Sequence, residues 1–427
     1  MFFLTDWILI ALSTYIVYCS YKKIIYNKYS SMANYIIFVV YIFCCLPILF
    51  NYILGIPQYK TVYWYRVFAE PMNNPYIAVI YDFYIGISIL LLHMYATHFD
   101  RYKSHDKVYK VMDRGAFFTN PIVLNLGVLS PFLYIIICGK TSYYLTYGLN
   151  SLRGLEDESF NLIMSTLILL SLYAFGYYIF SRKITKKTIL IVAIYSFLLS
   201  WIQGKRFILA LMGMVYLYYY TKSDIGYQTR KVLAKISPIA FLVLIVFCYF
   251  YLVVIRPLSD VSFDSVYEML RVDFGRDDVI KYVINKEFFE GTHILEYPGQ
   301  TVLSTLFTYV PRSIWENKPY PHYMYLTASI LNCSMFDIPA GTTPSWFEMS
   351  LSNFGYMGFV IGAVTLPMIC KVGDKLKSIP AQIVVLILVI VLLTQSIDAY
   401  VIFLFILFVQ VFIKLLLKNK KIKIKWK

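Results

Sequence analysis

TTPSWFEMSLSNFGYMG, Thr342 to Gly358, passes from a proline-fixed polar turn through one carboxylate, Glu348, into an apolar helix, and that change of character decides how the chain is read. Thr342, Thr343 and Ser345 offer helix N-caps, and a carboxylate in the first turn meets the positive end of the helix dipole. Gly355 and Gly358 permit close packing of a neighbour. Downstream, the apolar character lasts to Cys370, long enough to cross a hydrocarbon core of about 30 Å at about 1.5 Å per residue. Upstream lies the one long polar interval of the chain, Arg256 to Ser345, with eleven acidic and seven basic residues.

Beyond this junction the sequence is a series of apolar runs. With 59% hydrophobic and 15% charged residues in 427, it carries more apolar surface than a soluble core could hide. Eleven spans are expected: Phe3 to Cys19, Asn34 to Leu54, Tyr76 to Tyr95, Pro121 to Cys138, Leu162 to Phe180, Thr188 to Gln203, Phe207 to Tyr220, Ile236 to Ile255, Trp346 to Cys370, Ala381 to Gln395 and Ala399 to Lys414. The first has no basic leader or small-residue cleavage site and reads as a retained span. Twenty-six of the 39 Lys and Arg fall in alternate links, the KNKKIKIKWK tail among them. The positive-inside rule then puts the C-terminus in the cytoplasm and the N-terminus and the polar interval outside. The expected fold is all-α: a polytopic integral membrane protein of about eleven transmembrane helices with a large helical periplasmic loop. It divides into 1–255 with spans one to eight, 256–345 as the loop, and 346–427 with spans nine to eleven and the basic tail.

The net charge of +15 is spread in short runs beside apolar spans, where it sets orientation in the bilayer, so nucleic acid is discounted as a partner. Seven Cys without a C-x-x-C and five widely separated His support neither a disulfide framework nor a metal site, and no cofactor is expected.

Within the polar interval, FDSVYEMLRVDF predicts a helix with Phe263, Val266, Leu270 and Phe274 on one face and Arg271 paired to Glu268 one turn away. Gly275 should break it, and DDVIKYVINKEFF resumes with Asp277 four residues before Lys281. Thr301 to Val310 predicts a short amphipathic helix in the membrane interface. Arg276, flanked by Asp277 and Asp278, either pairs with them or faces a ligand. Lys205 and Arg206 sit in a turn between two short spans, hence sunk near headgroup level, where a lipid phosphate is the natural partner. In PRSIWENKPYP, Pro311 to Pro321, Arg312 and Lys318 supply cations and Trp315 a flat face for a sugar ring. The same residues equally describe an interfacial anchor. His322 could take a proton near neutral pH. Glu348 is either a local helix cap or, if the helix mouth opens on a cavity, a general base. Asp82 and Asp398 are intramembrane candidates.

The Gly204-Lys205-Arg206 turn, the P-R-x-x-W-x-x-K-P run of Pro311 to Pro319, and T-x-x-x-x-E-x-x-x-x-N-F-G-x-x-G of Thr343 to Gly358, set among many spans and one large outer loop, resemble bacterial oligosaccharide repeat-unit polymerases, the Wzy-type O-antigen polymerases. The resemblance implies a metal-independent glycosyltransferase with a GT-C-like fold at the periplasmic face of the bacterial inner membrane. It would transfer a growing undecaprenyl-pyrophosphate-linked glycan onto the non-reducing end of a lipid-linked repeat unit. It implies Arg206, Arg276 and Arg312 on pyrophosphate with Lys205 and Lys318 beside them, Glu348 as base with His322 as its alternate, and Trp315 on the sugar path. Partners would be the lipid-linked oligosaccharide, membrane lipid and a chain-length regulator protein. An O-antigen ligase and a lipid-linked oligosaccharide flippase are the rival functions.

Overall fold

The computed structural model describes residues 4–27, 30–102, 120–141, 144, 158–180, 186–203, 207–222, 262–308, 310–338, 341–376 and 379–395. Among them the protein is all-helical, without strands. The expected spans Ile236 to Ile255 and Ala399 to Lys414, together with Asp398, lie outside the described residues. Among the described residues, four helices are long and apolar enough to cross a membrane: Leu4–Tyr26, Ala33–Leu54, Pro75–Asp100 and Met357–Lys375. Shorter apolar stretches occupy Pro121–Ile137, Thr166–Gly176, Leu190–Ile202 and Ala381–Thr394, at positions where the sequence suggests spans.

The chain forms two compact units. One comprises 1–107, 224–374 and 389–401 and holds α1 (Leu4–Tyr26), α2 (Ala33–Val40), α3 (Leu46–Leu54), α4 (Ala69–Asn73) and α5 (Pro75–Tyr102). The other comprises 108–223, 375–388 and 402–427 and holds α6 (Pro121–Ile137), α7 (Glu158–Phe180), α8 (Lys186–Gln203) and α9 (Phe207–Lys222). In that second unit α6 packs on α7, α7 on α8 and α8 on α9. Pro131 in α6 has no N–H for the Gly127 carbonyl, which the Ser130 hydroxyl bonds at 2.9 Å instead. Phe175 and Tyr195 stack at 3.8 Å in its core, and the Tyr195 hydroxyl donates to Val128 O at 2.7 Å.

In the first unit α1, α2 and α5 pack together. Between α2 and α3 the helix widens to a π turn, Tyr41–Cys45. The cause is Pro47, which has no N–H to give the carbonyl four residues back, Phe43 O. The polar interval supplies α10 (Phe263–Phe274), α11 (Asp277–Ile284) with a π turn at Asn285–Glu290, α12 (Gln300–Leu306) and α13 (His322–Leu331). α12 ends at Leu306, four residues short of the helix the sequence suggests.

The expected ninth span, Trp346 to Cys370, is corrected. It is two helices, α14 (Trp346–Phe354) and α15 (Met357–Lys375), separated at Gly355 with φ 54°. Positive φ is open to glycine at little cost, so the helix stops there and the chain changes direction. The first turns of α15 pass Ser350 of α14 so closely that a Cβ at Gly358 would collide with the Ser350 carbonyl, and one at Gly362 with the Tyr84 hydroxyl. The far end of α15 is fastened by Asp374, which accepts from Ser31 Oγ at 2.6 Å and Met32 N at 2.9 Å. A final helix, α16 (Ile379–Thr394), follows.

Candidate functional site

The Phe43 carbonyl that Pro47 leaves without a donor is taken by the backbone N–H of Arg276, at 3.0 Å. Nearby, Cys44 O accepts the Tyr81 hydroxyl at 2.7 Å. Phe43 lies eleven residues from Leu54, the end of its helix, so the Arg276 turn reaches roughly 16 Å down that helix, about half a hydrocarbon thickness. α10 makes the descent. Its Tyr267 hydroxyl donates to Gly55 O at 2.9 Å beside the end of α3, and the chain meets Phe43 nine residues later. α10, the Gly275 turn and α11 therefore form a re-entrant hairpin along α3, a depth that the reading of the interval as an outer loop did not give it.

Gly275 ends α10 as expected, with extended backbone. The charges around it pair differently from the sequence reading. Glu268 does not bond Arg271. Its carboxylate accepts Lys60 N at 2.7 Å, Thr61 N at 2.9 Å and the Thr61 hydroxyl, tying the 55–62 segment to α10. Arg271 reaches across the turn to Asp277, Nη2 lying 2.9 Å from its carboxylate, and both side chains are almost wholly buried. Burial opposes the Arg271 charge, but Asp277, Tyr59 and Asp278 outweigh it and raise its pKa well above the usual value. Asp278 accepts the Tyr59 hydroxyl at 2.8 Å, and burial followed by the neighbouring Asp277 raises its pKa. Lys281 does not bond Asp277 but lies 5.0 Å from the centroid of the Tyr81 ring. The buried face of α10 is Ser265, Val266, Tyr267, Glu268 and Arg271, while Phe263, expected on the apolar face, is exposed.

Arg276 is buried without a bonded acid among the described residues. Nη1 donates to Gly275 O at 2.8 Å and Nη2 to Thr394 O at 3.3 Å, and the guanidinium lies 5.5 Å from the Phe43 ring centroid. A Cβ on Gly275 would stand 2.6 Å from Arg271 O and 3.4 Å from Arg271 Nη1. The Arg271 guanidinium thus stands beside the α-carbon of Gly275 and that of Arg276 on its carbonyl, and a Cβ there would collide with the Arg271 carbonyl. Three of their donors, Arg271 Nε and Nη1 and Arg276 Nε, are buried without a hydrogen-bond partner among the described residues. Buried charged donors without acceptors are costly, which makes this the strongest sign of a place for an anion.

Glu348 shares the neighbourhood. α14 packs on α11, Arg276 is the cation acting on the Glu348 carboxyl, and Cys44 feels both charges. Ser345 caps α14 in a reciprocal box. Its N–H and hydroxyl donate to the two Glu348 oxygens, and the Ser345 side chain accepts from the Glu348 N–H. Each oxygen keeps a second lone pair. Burial pushes the carboxyl up to about 7, against the Ser345 hydrogen bonds and Arg276, which hold it down.

Lys205 and Arg206 are outside the described residues. Arg312 donates to Lys318 O at 2.7 Å and stacks 3.7 Å from the Tyr320 ring centroid. Lys318 Nζ donates to Thr308 O and Val310 O at 3.1 and 2.9 Å, and Trp315 meets Phe307 edge-on at 5.5 Å. The Pro311 to Pro321 loop thus closes on itself and is not joined to Arg276 or Glu348 by Arg312 or Trp315. His322 is not a loop residue but the first residue of α13, fully buried, with neither ring nitrogen hydrogen-bonded among the described residues. A pocket at the start of α5, lined by Glu70, Asn73, Asn74 and Tyr76, contains none of these side chains.

Burial lowers the His322 pKa to about 3 from an ordinary 6.5, so between those values the unfolded chain binds a proton that the folded one does not. Stability is therefore lost as pH falls below 6.5, by up to about 1.4 kcal/mol per pH unit. Glu348, raised from 4.5 to about 7, acts oppositely: its contribution is present below 4.5 and lost as pH rises to about 7. The two slopes offset each other between 4.5 and 6.5. His322→Leu removes one of them, so its melting temperature at pH 5 relative to pH 7.5 should rise above the same difference in the parent. An unchanged pH profile would refute this.

Comparison with protein-family models, with curated proteins and with solved structures gives no match for this chain.

Proposed function

We propose that this membrane protein is an O-antigen polymerase, a glycosyltransferase that lengthens a glycan carried on undecaprenyl pyrophosphate at the periplasmic face of the bacterial inner membrane. The observation that carries the reading is the pair of buried guanidiniums around Gly275, with donors to spare, roughly halfway down a candidate span and beside a carboxyl raised to about 7. A pyrophosphate tethered to a lipid is an anion delivered at membrane depth, and guanidinium forks match its oxygens.

In the reaction, a hydroxyl of the acceptor repeat unit attacks the anomeric carbon of the donor glycan. The new glycosidic C–O bond forms as the carbon–phosphate oxygen bond breaks, the electron pair leaves with the carrier pyrophosphate, and Glu348 takes the hydroxyl proton. Arg271 and Arg276 stabilise the charge gathering on the departing pyrophosphate, the kind of preorganised electrostatic help that usually dominates catalysis. Arg312, Lys318 and Trp315 belong to the loop that would meet the glycan, and Lys205 and Arg206 to a further lipid contact. Buried and held near 3, His322 is a poor proton acceptor at neutral pH, which leaves Glu348 the better base.

A flippase is the second reading, favoured by the broken helices and their buried charges at depth, a pattern also used by transporters. The test is a reconstitution in proteoliposomes with carrier-linked repeat units. The polymerase reading expects carrier-linked chains to lengthen. Movement of units across the bilayer without lengthening, or transfer to lipid A alone, overturns it. Glu348→Gln keeps the capping box, for which Glu and Gln both serve, and removes the base. Its elongation rate should fall about 100-fold or more without a loss of melting temperature. Elongation at the parental rate would remove Glu348 from the chemistry.

A further inference from the structure

α12 is built inside out. Its buried side chains are polar, Gln300, Thr301, Ser304 and Thr305, and they fall on one face of the helix. On the opposite face Leu303, Leu306 and Phe307, spaced i, i+3 and i+4, are exposed, the last two by 67% and 43%. Hydrogen bonds fix this orientation. Asn353 of α14 accepts Thr301 N on Oδ1 at 3.1 Å, donates Nδ2 to the Thr301 hydroxyl at 2.7 Å and accepts Gly299 N on its carbonyl at 2.9 Å. Gln300 Nε2 donates to the Tyr325 hydroxyl of α13 at 3.0 Å.

The loop that follows continues the apolar side. Lys318 Nζ binds Thr308 O and Val310 O, which makes the Pro311 to Pro321 loop one piece with the end of α12. In that loop Ile314 is 78% exposed, and Trp315 lies edge-on to Phe307. A helix in water turns its apolar side inward, so the reverse arrangement belongs to apolar surroundings. The level of α12 says what those surroundings are. α15 has 19 residues and spans roughly 28 Å at about 1.5 Å per residue, close to the about 30 Å of a hydrocarbon core, so its Met357 end lies at the hydrocarbon boundary. Asn353 precedes Met357 by four residues and holds α12 at that boundary.

We propose that α12 and the Pro311 to Pro321 loop form a monotopic membrane anchor, with Leu303, Leu306, Phe307 and Ile314 set among the acyl chains of the leaflet nearest the polar interval. Trp315 lies at headgroup level, where an indole has both an apolar and a wet side to meet. The anchor is more than the interfacial helix that residues 301–310 suggest: it takes in Ile314, and through Asn353 it is bonded to the last turn of α14, the helix that opens at Glu348. The lipid surface thereby positions that helix. The inference stands whatever reaction the protein performs.

Photolabelling of the full chain in nanodiscs tests it, with a phosphatidylcholine that carries a diazirine in its acyl chain and adducts located by tandem mass spectrometry. Leu306, Phe307 and Ile314 should be labelled to an extent comparable with the exposed side chains of α15. Leu306→Glu combined with Phe307→Glu should lose that labelling several-fold while α15 keeps it. The parent alone decides the matter if this variant fails to fold. Adducts on α15 with none on those three residues overturn the proposal. So do adducts that persist unchanged in the double variant, or hydroxyl-radical oxidation of Leu306 and Phe307 in place of lipid adducts, which would mark a face turned to water or left for a protein partner.

Discussion

Arg276→Ala should lower glycan elongation by about 100- to 1,000-fold, the loss expected when one preorganised group is removed from a developing anion. The backbone N–H of residue 276 still reaches Phe43 O, so the turn keeps its anchor, but Gly275 O and Thr394 O lose their donors. Leaving those carbonyls unmet costs about 1–3 kcal/mol each if no water reaches them, so melting must be measured beside activity. Lysine is a poor rescue, because a single ammonium cannot span both carbonyls and also face a ligand. Arg276→Lys should therefore fold better than Arg276→Ala while remaining strongly impaired. Arg312→Ala is the contrast: its guanidinium already serves Lys318 O and Tyr320 on a loop that closes on itself, so its effect should be the smaller. Equal elongation by Arg276→Ala and the parent would end the assignment of this arginine to the pyrophosphate.

The second large effect falls on stability. Asp277→Ala strips Arg271 of its bonded partner while leaving the guanidinium buried, which should cost about 3–5 kcal/mol, read as a fall in melting temperature. Asn51 Nδ2, 3.4 Å from the Asp277 carboxylate, loses an acceptor in the same step. Replacing both partners with apolar residues, Arg271→Met with Asp277→Leu, should recover most of that loss, since the desolvation cost disappears with the charges. Elongation should not return with it, because the double variant has lost one of the two guanidiniums at Gly275. A double variant restored in both stability and elongation would make the pair a purely structural clamp.

The sequence makes membrane character legible because apolar runs and basic links are properties of composition and need no partner to be seen. The Gly275 break, the helix on either side of it and the Ser345–Glu348 cap are equally local and are found where the residues suggest. What escapes a linear reading is pairing across the fold. Arg271 has Glu268 one turn away, yet the 60–61 backbone claims Glu268 and Arg271 turns to Asp277 beyond the glycine. The depth of Arg276 escapes as well, because it depends on a carbonyl in a distant helix. A signal for it does exist: Pro47 in the middle of an apolar run announces that Phe43 O needs an outside donor, without saying which. The break at Gly355 is legible only as permission for close packing, since the positive φ that ends α14 belongs to the folded backbone.

The account rests on an anion seated between Arg271 and Arg276, and binding tests it more directly than turnover does. The affinity of undecaprenyl pyrophosphate, without any glycan, should be measured at one fixed salt concentration for the parent, Arg276→Ala and Arg312→Ala in nanodiscs. The account predicts binding that weakens at least tenfold in Arg276→Ala and changes little in Arg312→Ala. Equal affinity in the parent and Arg276→Ala, or a loss confined to Arg312→Ala, would contradict it.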